Sequence, residues 1–209
     1  MSVIDKLATS LNRRDEIPNQ ELAAQIVAGN DKKAVKELAD LLIHKNKDLQ
    51  SDAIKTLYEI GAQKPSLIAP YVADFIGLLT SKNNRLQWGA MTALRAITTE
   101  KPDDIYAALP QLAAVTDAGS VITRDNYVGI LIGLLSIKKY EDDAFPLLNE
   151  QLLGCPSNQL PMYAEQALPF LPESHKAIFI QSLSSRLGDF EKESKRKRVE
   201  QVLKKLARK

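Results

Sequence analysis

One apolar pattern returns along the chain every 37 residues, and it constrains the fold more than any other feature. The pattern starts with Ala53, Leu57 and Ile60, whose i, i+4, i+7 spacing places them on one face of a helix. Three further steps of 37 residues reach only apolar residues, namely Ala90, Leu94, Ile97, Tyr127, Leu131, Leu134, Ala164, Leu168 and Leu171. Such a period predicts stacked units, because one unit cannot bury its apolar face alone.

Turn-forming residues separate the chain into short segments that favour helix. The segments are rich in Ala, Leu, Ile, Glu and Lys, and none sustains the apolar–polar alternation of a strand. Lys64-Pro65 recurs 37 residues later as Lys101-Pro102, and proline suits the first turn of a helix. We therefore predict an all-α fold with about six antiparallel helix pairs: 2–12 with 18–29, 31–44 with 47–63, 65–81 with 83–99, 102–117 with 120–138, 141–154 with 158–171, and 173–189 with 191–208.

Prolines and charged residues within the repeat point to a known class of fold. Pro70, Pro110 and Pro146 fall inside predicted first helices, while Asp52 and Lys55 fall near the start of a second helix. In these features the repeat resembles HEAT and armadillo-like solenoids. The resemblance covers about residues 31–171 and implies an α-α superhelix; it implies a fold rather than an activity.

The repeat also predicts the domain organisation. We expect one HEAT-like repeat domain over 1–209, with regular repeats at 31–171. Residues 1–30 would form an N-terminal cap, and 172–209 a C-terminal cap with a basic last helix. The core pattern becomes polar beyond residue 171, as expected where an end repeat meets water.

The composition excludes several kinds of binding and metal site. Apolar residues make up 44% of the 209 residues and the formal net charge is +2, so bulk charge indicates no class of partner. A single cysteine, Cys155, excludes an internal disulfide and a multi-cysteine metal site. His44 and His175 have no second ligand at a metal-binding spacing, and no glycine-rich phosphate loop is present. We therefore predict no cofactor and no metal.

No segment of the sequence predicts membrane insertion. The longest nearly unbroken apolar run, 128–137, is half the length of about 20 residues that spanning a bilayer requires. Asp5 interrupts the N-terminal stretch in which a secretory signal would be apolar. These observations predict a cytoplasmic protein, or a nuclear one if its source is eukaryotic, and they leave the oligomeric state open.

The predicted second helices carry the best candidate for a recognition surface. Outside the core positions they present Lys55, Tyr58, Trp88, Arg95 and Asp125. Tryptophan, tyrosine and arginine are the residues that most often dominate binding energy at protein interfaces. The alternative is that the lone tryptophan, Trp88, packs against a neighbouring helix or loop.

The C-terminal segment differs from the rest of the chain in charge. Residues 191–209 carry nine Lys or Arg and three Glu, a net charge of +6. The run Lys195, Arg196, Lys197, Arg198 lies in a predicted helix that keeps one apolar stripe. Three interpretations remain open: a solvated face of the cap, a patch for nucleic acid or another anionic surface, and a nuclear import signal.

Three functions are consistent with these observations. The first is a non-enzymatic scaffold or adaptor that binds a protein segment on the solenoid surface. The second is a nucleic-acid-binding protein that uses the basic C-terminal helix. The third follows from the resemblance, since HEAT-like DNA glycosylases and bilin lyases exist. Trp88 and Asp125 share one column of the repeat, as an aromatic–carboxylate pair of such a glycosylase would.

Overall fold

A computed structural model describes residues 2–207, and the regular structure in that range is entirely helical. The predicted helix end at residue 208 lies outside the described residues. The α-helices are α1 (Ile17–Gly29), α2 (Lys32–Asp40), α3 (Lys47–Gln63), α4 (Pro65–Ile68), α5 (Val72–Leu78), α6 (Asn84–Ala96), α7 (Pro102–Ala107), α8 (Leu109–Ala118), α9 (Val121–Leu135), α10 (Glu141–Gly154), α11 (Leu160–Ala167), α12 (Lys176–Ser185) and α13 (Glu193–Ala207).

The chain divides into two compact units, the first ending at Tyr127 and the second beginning at Val128, inside α9. In the first unit, α1 and α6 both pack against α3, and α5 packs against α6. In the second unit, α10 packs against α12, and α13 packs against both α11 and α12. The prediction of one domain over 1–209 stays a prediction.

Helix starts follow the same period as the core. Asn46 and Asn83, 37 residues apart, cap α3 and α6, and their side-chain oxygens accept the backbone N–H two positions ahead at 2.8 and 3.1 Å. Ser120, another 37 residues on, accepts the backbone N–H of Thr123 at 3.4 Å at the start of α9. Such caps satisfy donors that the first turn of a helix leaves unpaired. In these three repeats the period therefore matches the starts of the second helices as well as the face they bury, whereas α11 begins at Leu160 without a side-chain cap.

The predicted core pattern is buried in its first three repeats and loosens in the fourth. All nine positions from Ala53 to Leu134, together with Ala164, are at most 2% exposed. Leu168 and Leu171 are only half-buried. The α-helix ends at Ala167, and a 3-10 turn containing Pro169 follows, so these two leucines leave the helical face that the period assigns to them.

The predicted helix over 2–12 is wrong. The structure has a 3-10 turn over Ile4–Lys6 and then irregular chain, in which Asn12 adopts a left-handed φ of 55°. The backbone N–H groups of Ala8 and Thr9 donate to side chains elsewhere in the unit instead of to helical carbonyls. Side-chain acceptors compete with the helix for these donors, and here they prevail.

Proline shortens two other predicted helices. Over 65–81 the chain forms α4, a 3-10 turn that includes Pro70, and α5. Over 102–117 it forms α7 and α8, with Pro110 in the first turn of α8. Proline lacks the N–H that an unbroken helix would use. Pro146, by contrast, lies inside the continuous α10.

A glycine allows α3 and α6 to approach closely beside the site described below. A Cβ atom on Gly89 of α6 would lie 2.7 Å from Cγ1 of Ile54 in α3, closer than van der Waals contact allows. The small residue therefore sets the spacing of the two helices that carry the candidate aromatic residues. No helix within 2–207 is both long enough and apolar enough to cross a bilayer.

Candidate functional site

Trp88 lies on α6 against an aromatic ring of the preceding repeat. Its ring centroid is 5.9 Å from that of Tyr58 on α3, and the ring planes are tilted by 49°. Both side chains are half-buried. The ring packs on a neighbouring helix, as one sequence interpretation of Trp88 has it, while some of its surface still faces solvent; a role in recognition stays a prediction. Tilted pairs at this distance are favourable aromatic contacts.

Lys55 is held in a fixed position beside the aromatic pair. Its Nζ lies 4.8 Å from the Tyr58 ring centroid and 2.7 Å from a carboxylate oxygen of each of Glu16 and Glu59. Burial opposes the charged form of Lys55, but hydrogen bonds to Glu16, Glu59 and Tyr58 outweigh it and hold the lysine pKa well above its usual value. Lys55 therefore stays charged and contributes a cation–π contact to Tyr58.

The N-terminal segment 8–19, irregular up to Glu16 and helical from Ile17, is held against α3 by a polar network. Asp52 accepts the backbone N–H of Thr9 and the side-chain amide of Asn19, both at 2.8 Å. Asn19 in turn accepts the backbone N–H of Ala8 at 3.0 Å and is only 2% exposed. Because buried polar groups are costly when unpaired, the segment and α3 are tied together.

The segment 8–19 forms one wall of a groove, and α3 and α6 form the other. We call it the Trp88 groove; its volume is about 690 Å³, and Lys55, Tyr58 and Trp88 all line it. The charged residues on its walls balance in number: Arg13, Arg14, Lys55 and Arg85 against Asp15, Glu16, Asp48 and Asp52. A mostly polar groove with an aromatic pair is suited to an extended chain that carries polar groups and at least one apolar side chain.

Only some of the charged residues on the groove walls form ion pairs with one another. Arg13 binds Asp15 through two hydrogen bonds of 2.9 Å, and this hydrogen bonding lowers the pKa of Asp15. Glu16 is bound to Lys55. Arg14 and Arg85, however, make no ion pair with any of the described residues. The groove therefore has two cations without an ion pair, and two carboxylates, Asp48 and Asp52, that also make none among the described residues.

Two predicted site residues lie away from the groove. Arg95 is exposed in the last turn of α6, and Asp125 is half-buried in α9; neither is among the described residues that line the groove. The structure thus brings together Lys55, Tyr58 and Trp88 but leaves out Arg95 and Asp125. An aromatic–carboxylate site made of Trp88 and Asp125 is not formed in this groove.

The basic run of α13 is engaged in local contacts. Arg198 makes a two-pronged contact with Glu165 of α11 at 2.7 and 2.5 Å, and that hydrogen bonding lowers the pKa of Glu165. Within the helix, Arg196 contacts Glu200 at 2.9 Å, and Lys197 contacts Glu193 at 3.0 Å. Lys195 donates to the carbonyl of Asn158 at 3.4 Å. The cations predicted as a patch thus have partners, mostly carboxylates, in their own unit.

The two histidines and the cysteine occupy separate structural positions. His175 stacks on Phe145, with ring centroids 4.3 Å apart, and its Nε2 lies 3.0 Å from Asp142. His44 is exposed, and Cys155 is buried. Among the described residues no cluster of three or more His, Cys, Asp or Glu side chains could hold a metal ion.

Comparison with solved structures identifies the class of fold. The chain matches no protein-family model and no curated protein. Two engineered proteins of the Northeast Structural Genomics Consortium are similar over 100% of this chain. The first is 21% identical, with a TM-score of 0.65, and the match covers 98% of its own chain. The second is 18% identical, with a TM-score of 0.66, and the match covers 100% of its own chain. A designed armadillo repeat protein is similar at 17% identity and TM-score 0.63, covering 95% of this chain and 98% of that one.

These similarities establish an all-α helical-repeat fold. The particular architecture is an armadillo-like solenoid, as the resemblance implies, so the predicted fold class is confirmed. Identities near 20% carry the fold and nothing about activity.

Proposed function

We propose that the protein is a non-catalytic binding scaffold, or adaptor, whose Trp88 groove takes an extended segment of a partner protein. The observation that carries the proposal is the half-buried Trp88–Tyr58 pair on a groove of about 690 Å³. A partner side chain packed there would remove the remaining aromatic surface from water. Buried aromatic anchors of this kind supply most of the affinity of many interfaces.

The groove is also preorganised for binding, because its walls are held in place before a ligand arrives. Its aromatic residues lie on two packed helices, and its other wall is fixed to α3 through Asp52. Lys55 is only 12% exposed and is held by two carboxylates, so it has little freedom to lose. A rigid site loses less conformational entropy when it binds a ligand. The cytoplasmic location predicted from the sequence stays a prediction.

A library of random twelve-residue peptides displayed on phage tests the proposal. Peptides would be selected on the intact protein and then measured against Trp88→Ala. We expect affinity to fall about thirtyfold, the loss of about 2 kcal/mol typical of an aromatic anchor. Phe170→Ala is the matched control: Phe170 is an exposed aromatic residue in the second unit, 48% accessible, and its loss should leave affinity unchanged.

Two further measurements keep this test decisive. Trp88→Phe retains an aromatic ring and should recover most of the binding lost in Trp88→Ala. Thermal denaturation of each variant shows whether the fold is intact. If folded Trp88→Ala and wild type bind the selected peptides equally, the Trp88 groove is not the binding surface.

A further inference from the structure

We infer that the partner segment of the Trp88 groove is acidic: an extended peptide that places a carboxylate beside an apolar side chain. This inference rests on the proposed function and adds the chemistry of the ligand. It follows from the charges left over after pairing within the first unit, from the position of Glu16, and from a second groove that continues the first.

Cations without internal partners extend beyond the Trp88 groove. An adjoining groove of about 410 Å³ is lined in part by Lys47, Lys82 and Arg85. Arg85, Asp48 and Ser51 line both grooves, so the two form one continuous surface. Like Arg14 and Arg85, Lys47 and Lys82 make no ion pair among the described residues. Four cations therefore face solvent along one path.

The carboxylates on the same path are largely used within the protein. Asp15 pairs with Arg13, and Glu16 with Lys55. Asp52 accepts two hydrogen bonds from the N-terminal segment. Asp48 and Asp52 make no ion pair within the described residues, since the donors to Asp52 are uncharged. After internal ion pairing the continuous surface thus carries four cations against two carboxylates, Asp48 and Asp52, and this excess of positive charge favours an acidic ligand.

Glu16 shows how a carboxylate fits this site. It immediately precedes α1 in the segment 8–19, and its Oε2 lies 2.7 Å from Nζ of Lys55, which lies over the Tyr58 ring. The chain thus already places an acidic side chain, from the residue that precedes α1, against the aromatic pair. A partner segment running toward Arg85 would repeat this arrangement, with one carboxylate near a cation and an apolar side chain on Trp88.

The walls favour a peptide over a nucleic acid. Four carboxylates line the Trp88 groove, and a phosphodiester chain places a negative charge at every nucleotide. Such a chain would bring phosphates close to Asp48 and Asp52, which make no ion pair, and to the two paired acids, Asp15 and Glu16. A peptide can space its carboxylates so that they meet only the unpaired cations.

The test uses peptides selected by their dependence on Trp88. We expect enrichment of Asp and Glu over the starting library, next to at least one apolar or aromatic residue. Arg85→Ala should weaken the selected peptides about two- to fivefold, the range expected for one exposed ion pair. Arg95→Ala is the matched control, because Arg95 is an exposed arginine of the same helix outside the groove, and it should change nothing. The Arg85 effect should fade in about 1 M salt.

The outcomes separate the inference from the proposed function. Trp88-dependent peptides without acidic enrichment, or equal losses from Arg85→Ala and Arg95→Ala, overturn the acidic partner and leave the binding scaffold standing. A library that yields no Trp88-dependent peptide overturns both. A labelled twelve-nucleotide single-stranded DNA that binds more tightly than the selected peptides, and loses binding in Trp88→Ala, replaces the acidic peptide with a nucleic acid.

Discussion

Replacing Leu94 by alanine measures how much one repeat contributes to stability. Leu94 is fully buried in α6, with no accessible surface. Truncating a buried leucine removes apolar contacts and leaves a cavity that closes only in part, so the expected cost is about 2–5 kcal/mol. Leu168 occupies the equivalent position two repeats later but is only half-buried. Its truncation should therefore cost about half as much, roughly 1–2 kcal/mol.

Urea denaturation followed by circular dichroism provides the assay. With an m-value of about 3 kcal/mol/M, Leu94→Ala should lower the midpoint by about 1 M and Leu168→Ala by about half of that. Leu131→Ala serves as a second fully buried case and should match Leu94→Ala. Equal losses at Leu94 and Leu168 would refute the argument from burial. Losses below about 0.5 kcal/mol at both Leu94 and Leu131 would refute the 37-residue register itself.

Four further predictions follow from the packing, the polar contacts and the charges. Asp52→Ala should cost about 1–3 kcal/mol, because it leaves the Thr9 N–H unpaired, and should speed amide exchange across the segment 8–19. Glu165→Gln should be less stable than wild type at neutral pH, because it loses the contact with Arg198. Arg198 holds the folded-state pKa of Glu165 below its ordinary 4.5, so the stability difference between the two proteins should vanish as the pH falls through that folded-state pKa. Changing the basic run 195–198 to glutamine should leave the affinity for the selected peptides unchanged. If the run instead bound duplex DNA through about three phosphates, the log of the binding constant would fall against log salt with a slope near −2.7, and this variant would abolish that binding. Circular dichroism and Trp88 fluorescence should report one coincident unfolding transition if the chain is a single domain, and separate midpoints would contradict that prediction.

The sequence predicts the fold class and the aromatic part of the site because both follow the period. Tyr58 and Trp88 lie on second helices of successive repeats, so the repeat alone places them on adjacent helices. The N-cap residues Asn46 and Asn83 follow the same 37-residue spacing, a signal that could have fixed the start of α6 more closely.

The second wall of the groove could not be predicted in the same way. It depends on the contact between Thr9 and Asp52, 43 residues apart, and on the buried amide of Asn19. These polar contacts do not recur with the period, and local helix propensity favours a different structure for the segment 2–12. Pairing also decides which cations remain available, and it depends on three-dimensional contacts: Arg198 is bound to Glu165, whereas Arg85 makes no ion pair among the described residues.

Hydrogen–deuterium exchange with a selected peptide tests the central claim, that the Trp88 groove is the binding surface. We predict slower exchange in the segment 8–19 and in the first turns of α6, because a bound segment would cover both walls. Exchange in α13 should not change. Protection confined to α13, or a segment 8–19 that exchanges equally fast with and without the peptide, would contradict the claim.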